Sequence, residues 1–264
     1  MAESGAVPIG IGGWTYEPWR GSFYPPGLPQ KRELEYVSRK LTSIEVNGTY
    51  YRSQKPETFQ KWHDETPEDF VFALKAPRFA TNRKVLAEAG ESIERFFTSG
   101  VMALASKLGP INWQFMATKK FDPEDFQAFL DLLPTSHEGH SLQHAVEVRH
   151  ESFCTPEFVE MIRAKGVAAV VAADGDFPQI ADPTAPFIYA RIMGTTEEEP
   201  LGYSVAAQEL WLRRIKTWAS GDLPEDMNYC GAGETTSARD VYLYVISGHK
   251  IRNPQAATSL IEGL

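Results

Sequence analysis

Eight short apolar segments, rich in β-branched and aromatic residues, alternate along this chain with stretches of helical periodicity. They begin at Val7 (VPIGIGG), Ser43 (SIEVN), Phe70 (FVFALK), Ile111 (INWQF), His144 (HAVEVR), Val167 (VAAVVAA), Phe187 (FIYARIMG) and Val241 (VYLYVIS). Strands that alternate with helices pair in parallel, because a helical crossover returns the chain to the same end of the sheet. Such a sheet either closes into a barrel or stays open and doubly wound. The open form needs a thin, glycine-rich phosphate loop after its first strand. The segment GIGGWTYEPW lacks the GxGxxG spacing and puts bulky aromatics there instead. Eight units in 264 residues match a single (β/α)8 TIM-type barrel, one domain over residues 1–264.

The intervening stretches carry helix punctuation. DPEDFQAFLDLL (Asp122 to Leu133) offers an N-cap Asp, then Pro123 at the first helical position and acids in the first turn. TPEFVEMIRAKG (Thr155 to Gly166) repeats the device and closes on Gly166, and NPQAATSLIEGL (Asn253 to Leu264) is read the same way. AAQELWLRRIKTWA spaces Leu210, Trp211, Arg214, Ile215 and Trp218 for one helix face, so its tryptophans are expected to pack on the sheet.

Composition narrows the classes of partner. Formal net charge is −9 and no lysine- or arginine-rich run occurs, which argues against a broad electrostatic grip on nucleic acid. No stretch approaches 18 apolar residues, so no membrane span is expected. The two cysteines, Cys154 and Cys230, lie far apart without CxxC spacing. They are expected to be free thiols, and the chain a cytoplasmic protein. The acids of GTTEEEP (Gly194 to Pro200) suit a solvated loop, and GAGETTSARD (Gly231 to Asp240) lacks a P-loop lysine and suits a connection into the eighth strand.

Barrel active sites form at the C-terminal ends of the strands. Those ends supply Trp14 and Tyr16, then Glu45 and Asn47, then Lys75, Gln114, Glu147, Arg149 and His150, then Asp174 and Arg191, and finally Ser247 and His249. Residues scattered along the chain are thus expected to converge on one mouth. An unpaired polar group in such a buried strand costs a few kcal/mol, so a carboxylate and an amide in SIEVN need partners.

At these strand ends the chain becomes similar to a known family. GGWTYEPWRGSFYP, IEVNGTYYR, W...TPEDFVFALK, LGPINWQF, VEVRHESF and YARIMG resemble, in order, the motifs of domain-of-unknown-function family 72, the YecE-like proteins. The resemblance spans nearly the whole chain and implies a TIM-barrel-like fold. It carries over Trp14, Tyr16, Trp19, Tyr24, Glu45, Asn47, Thr49, Tyr50, Arg52, Lys75, Gln114, Glu147, Arg149, His150 and Arg191, and supplies no established reaction. Two loops depart from the family pattern: FMATKKF (Phe115 to Phe121) stands in place of a Leu-Pro-Pro after the fourth-strand Gln, and YVISGHK (Tyr244 to Lys250) in place of aromatic-Asn-Asn.

The residue types favour an enzyme acting on a small anionic or sugar-like metabolite by proton transfer or hydrolysis. Glu45, Lys75 and Glu147 are its candidate catalytic groups. Lys75, Arg149 and Arg191 are suited to hold a phosphate or carboxylate, and Trp14, Tyr16, Trp19, Asn47, Tyr50, Gln114, His150 and Asp174 to line the substrate site. No cofactor and no metal are expected. A single divalent ion on Glu45, Glu147 and Asp174, as in a metal-dependent isomerase or nuclease, would compete with three cations for the same carboxylates. A non-catalytic nucleotide- or nucleic-acid-binding protein is the third class. With three carboxylates facing three cations, anion binding is expected to strengthen toward about pH 5, as a carboxylate takes up a proton.

Overall fold

A computed structural model describes residues 4–231 and 237–264. Eight strands form a closed, wholly parallel barrel: β1 (Ile9–Gly12), β2 (Ser43–Val46), β3 (Val71–Lys75), β4 (Leu108–Gln114), β5 (His144–Glu147), β6 (Ala168–Ala173), β7 (Phe187–Ile192) and β8 (Asp240–Val245). Chain order is spatial order, and β1 closes the ring by pairing with β8, Ile9 opposite Leu243. All eight expected strands are present.

Strand parity sorts the side chains into two cores. One set of alternate residues, including Ile9, Ile11, Ile44, Phe72, Trp113, Val146 and Val171, packs under the helices. The other set fills the barrel interior. There Ala73, Ala145, Ala168 and Ala172 leave room for the rings of Phe187, Tyr189, Tyr242 and Tyr244. On β1 the interior position is Gly10, whose added Cβ would stand 2.0 Å from the Ser43 carbonyl oxygen, so only glycine lets the two strands approach. The interior grows more polar toward the C-terminal ends of the strands. The Tyr244 hydroxyl meets Ser43 Oγ at 2.8 Å, and the Tyr189 hydroxyl donates to Glu45 Oε2 at 2.7 Å.

The outer layer includes helices Pro56–Glu65, Gly90–Phe97, Pro123–Asp131, Pro156–Ala164, Val205–Ser220 and Asn253–Glu262. Asp122 and Thr155 cap as expected, accepting from the backbone N–H groups of Asp125 and Phe158. Gly166 takes φ +62°, the left-handed conformation that ends a helix on glycine. Trp211 and Trp218 are buried on the inner face of the Val205–Ser220 helix. Asn253 does not cap its helix. It lies inside the first turn, where its Oδ1 accepts from the Thr195 hydroxyl at 2.7 Å.

Two further expectations about the fold fail. The connection from β6 to β7 has no helix, because Pro178, Pro183 and Pro186 break residues 174–186 into bends and irregular backbone. The stretch before β8 lies against it. Ala181 donates its N–H to the Asn228 carbonyl oxygen, and the Asp182 carboxylate accepts from the N–H groups of Cys230 and Gly231 at 2.8 and 2.9 Å. Cys154 and Cys230 are not free thiols but a disulfide with Cα atoms 5.1 Å apart, because the same packing brings the loop after β5 beside this stretch. The bridge removes the argument from reduced thiols on which a cytoplasmic setting rested. No described helix is long and apolar enough to cross a membrane. The acids of GTTEEEP lie in an exposed loop, whereas residues 232–236 of GAGETTSARD fall outside the described residues.

Candidate active site

Five strands each turn one charged or amide side chain into the mouth: Glu45 on β2, Lys75 on β3, Gln114 on β4, Glu147 on β5 and Arg191 on β7. Arg191 is the centre. Its Nη1 donates to Glu147 Oε2 at 2.6 Å and its Nη2 to Glu45 Oε1 at 3.0 Å, so one guanidinium joins both carboxylates. Its Nε faces Glu45 Oε2 at 3.0 Å as an ion-pair contact. Both carboxylates are fully buried, each at 0% exposure, and neither is left with a single partner. Glu45 also accepts from Tyr189, and Glu147 also accepts from Asn112 Nδ2 at 3.2 Å and from Arg149 Nε at 2.8 Å. That satisfies the requirement, visible in SIEVN, that a buried carboxylate be paired.

The electrostatics follow from these contacts. Burial alone pushes the Glu147 carboxyl up, but Arg191, Arg149 and Lys75 together outweigh it and hold the group down to about 2. Burial pulls down on Arg191 as well, and Glu147 and Glu45 more than reverse it, so its guanidinium is held charged. Lys75 behaves differently. Its ammonium donates to Gln114 Oε1 at 2.5 Å and rests 4.7 Å above the Tyr50 ring, with no carboxylate in direct contact. Burial and repulsion from Arg191 lower it from 10.5 to about 8, against the weaker pull of Glu45 and Glu147.

Arg149 is the member of the set that reaches solvent. Its Nη2 shares Gln114 Oε1 with Lys75, at 2.9 Å, and its guanidinium stacks 4.2 Å from the Phe177 ring centroid. Gln114 is therefore a neutral bridge between two cations. His150 lies next along the chain; its Nδ1 accepts from the Ser152 N–H at 3.1 Å, which leaves Nε2 as the protonated nitrogen. Asn47 sits beside Gly12, where an added Cβ would stand 3.0 Å from Asn47 Nδ2.

Asn47 and His150 make no hydrogen bond to this network among the described residues, and four other expected residues stand further apart from it. Asp174 is on the rim with φ +57°, accepts from the Trp211 indole N–H at 2.9 Å, and touches none of the three cations. Trp14 packs edge-on against Trp62 of the Pro56–Glu65 helix, at 5.2 Å between centroids. Trp19 is buried, donating its indole N–H to the Lys250 carbonyl oxygen at 2.9 Å. Tyr16 lies on the rim, 4.2 Å beneath the Lys250 ammonium. With Asp174 absent from the network, two carboxylates face three cations, and the site carries one excess positive charge while Lys75 is protonated. Asp174 is thus not one of the carboxylates on which the expected strengthening of anion binding toward about pH 5 was built, and Glu147, held down to about 2, is not the one that takes up a proton there.

Tyr189 and Asn112 belong to the site and escaped the sequence reading. Each lies two residues before a recognised member, Arg191 and Gln114, so strand parity places it one step deeper on the same face. Phe177, beneath Arg149, follows no such period, since it sits in the helix-free connection.

A closed parallel barrel whose C-terminal mouth holds a buried, ion-paired network defines a TIM-type barrel protein with its charged groups at the usual end. The chain belongs to the family described as "Protein of unknown function DUF72", whose model matches residues 8–264. It is similar to the UPF0759 protein YecE of Escherichia coli K12, with 30% identity over 150 residues, 56% of this chain and 50% of that protein. It thus spans half the length of that relative. The UPF0759 protein YunF of Bacillus subtilis matches at 27% over 191 residues, 69% of this chain and 64% of the relative. Among solved structures, a DUF72 family protein from Thermotoga maritima superposes with a TM-score of 0.73 at 22% identity, covering 98% of both chains. A xylose isomerase-like TIM barrel fused to a 4-hydroxyphenylpyruvate dioxygenase superposes at 0.50 with 14% identity, over 95% of this chain and 41% of that one, a likeness of fold alone.

Proposed function

We propose that the protein is an enzyme acting on a small anionic or sugar-like metabolite by acid/base chemistry at the barrel mouth, with Lys75 as the proton-transfer group. The observation that carries this is the state of Lys75: 7% exposed, bound to a neutral amide, and brought to about 8. An amine titrating near the working pH is present in both forms and can take a proton from, or return one to, a carbon or oxygen beside a carbonyl. Glu45 and Glu147, each with several partners, act as fixed charges that set the field around Lys75 and hold Arg191 in place. Arg149, bidentate-capable and partly exposed, receives the anionic group. Gln114 links the two, since an anion drawn to Arg149 also approaches Lys75 and raises its affinity for a proton. Tyr50, which lies under the Lys75 ammonium, is assigned by the same proposal to the substrate opening together with Asn47 and His150.

The pairing also weighs against the metal-dependent isomerase or nuclease reading. A divalent ion on Glu45 and Glu147 would have to displace a guanidinium shared between them. A cytoplasmic location belongs to the same proposal. Fractionation of expressing cells checks it, with the protein expected in the cytoplasmic pool.

The test is a titration of Lys75 followed by carbon-detected NMR of labelled lysine side chains, assigned by the signal lost in Lys75→Met. A midpoint near 8 that rises on adding phosphate or a sugar phosphate supports the reading. A midpoint at the ordinary lysine value removes Lys75 as the proton-transfer group. Incubation with phosphorylated and carboxylated sugars in D2O then identifies substrates, as deuterium incorporation that Lys75→Met abolishes.

A further inference from the structure

Beside the mouth, the loops after β2 and β3 line a cavity of about 340 Å3 with the helix Gly90–Phe97 as its far wall. Its chemistry differs from that of the rest of the surface. In a chain of net charge −9, it is lined by Arg52, Arg83 and Arg95 against one acid, Glu91. Arg83 is already fixed: its Nε donates to the Phe79 carbonyl oxygen at 2.6 Å and its Nη2 to Ser92 Oγ at 2.8 Å, leaving its other N–H groups to a ligand. The Arg52 guanidinium makes no hydrogen bond or ion pair among the described residues. Arg95 pairs with Glu91, but both side chains are mostly exposed, and such a pair is readily exchanged for a phosphate.

Two aromatic rings complete the cavity. Tyr51 is 61% exposed and Phe79 59%, the most exposed aromatic side chains of the described residues. The Arg78 guanidinium lies 5.9 Å from one ring centroid and 5.4 Å from the other. Exposed rings interleaved with arginines form a stacking platform for a base with cations for its phosphate. A bare phosphate needs no such rings, and a cavity of this size falls in the range that encloses a small molecule rather than an ion.

We propose that this cavity binds a nucleotide, its phosphate held by Arg52, Arg83 and Arg95 and its base against Tyr51 and Phe79. Free mononucleotide and single-stranded nucleic acid share that chemistry. The site is separate from Lys75 and Arg191 and does not depend on the reaction proposed for them.

Calorimetry with the whole chain tests it, using AMP, a twelve-residue oligo-dT and inorganic phosphate as probes. AMP is expected to bind at least tenfold more tightly than phosphate. Arg52→Ala and Phe79→Ala, which remove exposed side chains, each weaken it tenfold or more, whereas Arg39→Ala at the opposite end of the barrel and Glu147→Gln in the mouth leave it unchanged. Oligo-dT binding as AMP does assigns a free nucleotide. Tighter oligo-dT binding, with a log–log salt slope steeper than about −1.4, the value for two phosphates, assigns a single strand. The proposal is overturned if AMP binds no better than phosphate, if neither nucleotide probe binds at about 5 mM, if Arg39→Ala costs as much as Arg52→Ala, or if mouth variants alone abolish binding.

Discussion

Replacing Arg191 by methionine keeps most of the side-chain volume and removes the charge that joins Glu45 to Glu147. Glu147 retains Arg149 and Asn112, but Glu45 is left with Tyr189 as its hydrogen-bond donor among the described residues, in a fully buried position. Removing one partner of a buried ion pair costs about 3–5 kcal/mol. Taking about 4 kcal/mol and an unfolding entropy of about 2.1 cal/mol/K per residue over 264 residues, the thermal midpoint falls by about 7 °C near neutral pH. The pH dependence carries the sign. In the parent, Glu147 is depressed from 4.5 to about 2, so its contribution is full above about pH 4.5 and is lost as pH falls toward 2. In the variant Glu147 loses the largest of the attractions that hold it down, its folded affinity for protons moves back toward the unfolded one, and less stability is gained as pH rises. The gap between the two proteins therefore widens from about pH 2 to about pH 4.5. Adding Glu45→Gln to the Arg191 variant removes the stranded charge and recovers part of the loss, a coupling that a double-mutant cycle by thermal denaturation reads directly. A deficit under about 1 kcal/mol, or one equal at both pH values, would refute this account of the network.

Three further outcomes follow from the same contacts. Binding of phosphate or sulfate at the mouth is expected to weaken as pH rises through about 8, because Lys75 then loses the site's excess charge; calorimetry across that range, with Arg149→Ala losing more affinity than Arg163→Ala, checks it. Lys75→Met is expected to leave the thermal midpoint unchanged or raise it, since it removes a desolvated cation repelled by Arg191, while abolishing turnover; a midpoint lowered by more than about 2 kcal/mol equivalent would show that the lysine is held there for stability. Reducing Cys154–Cys230, or replacing both by serine, opens a link across 76 residues and is expected to cost about 2–4 kcal/mol, read as a lower midpoint, while a thiol titration of the unreduced protein should find no free cysteine.

The positions of the mouth residues were legible in the sequence because both facts that fix them are local. Period-two alternation in SIEVN, FVFALK, HAVEVR and FIYARIMG puts Glu45, Lys75, Glu147 and Arg191 on the interior face, and their place at the last residues of each segment puts them at the C-terminal end. The strand–helix alternation, the helix caps at Asp122 and Thr155 and the glycine stop at Gly166 were local in the same sense. The tertiary structure decided which charges meet. Arg191 and Glu45 are 146 positions apart, and Coulomb attraction depends on their distance in space and on the water excluded between them, neither of which a linear pattern contains. The same reason explains why Asp174 left the network for Trp211, why Lys75 faces an amide rather than a carboxylate, and why Cys154 found Cys230 across a stretch that three prolines kept from becoming a helix.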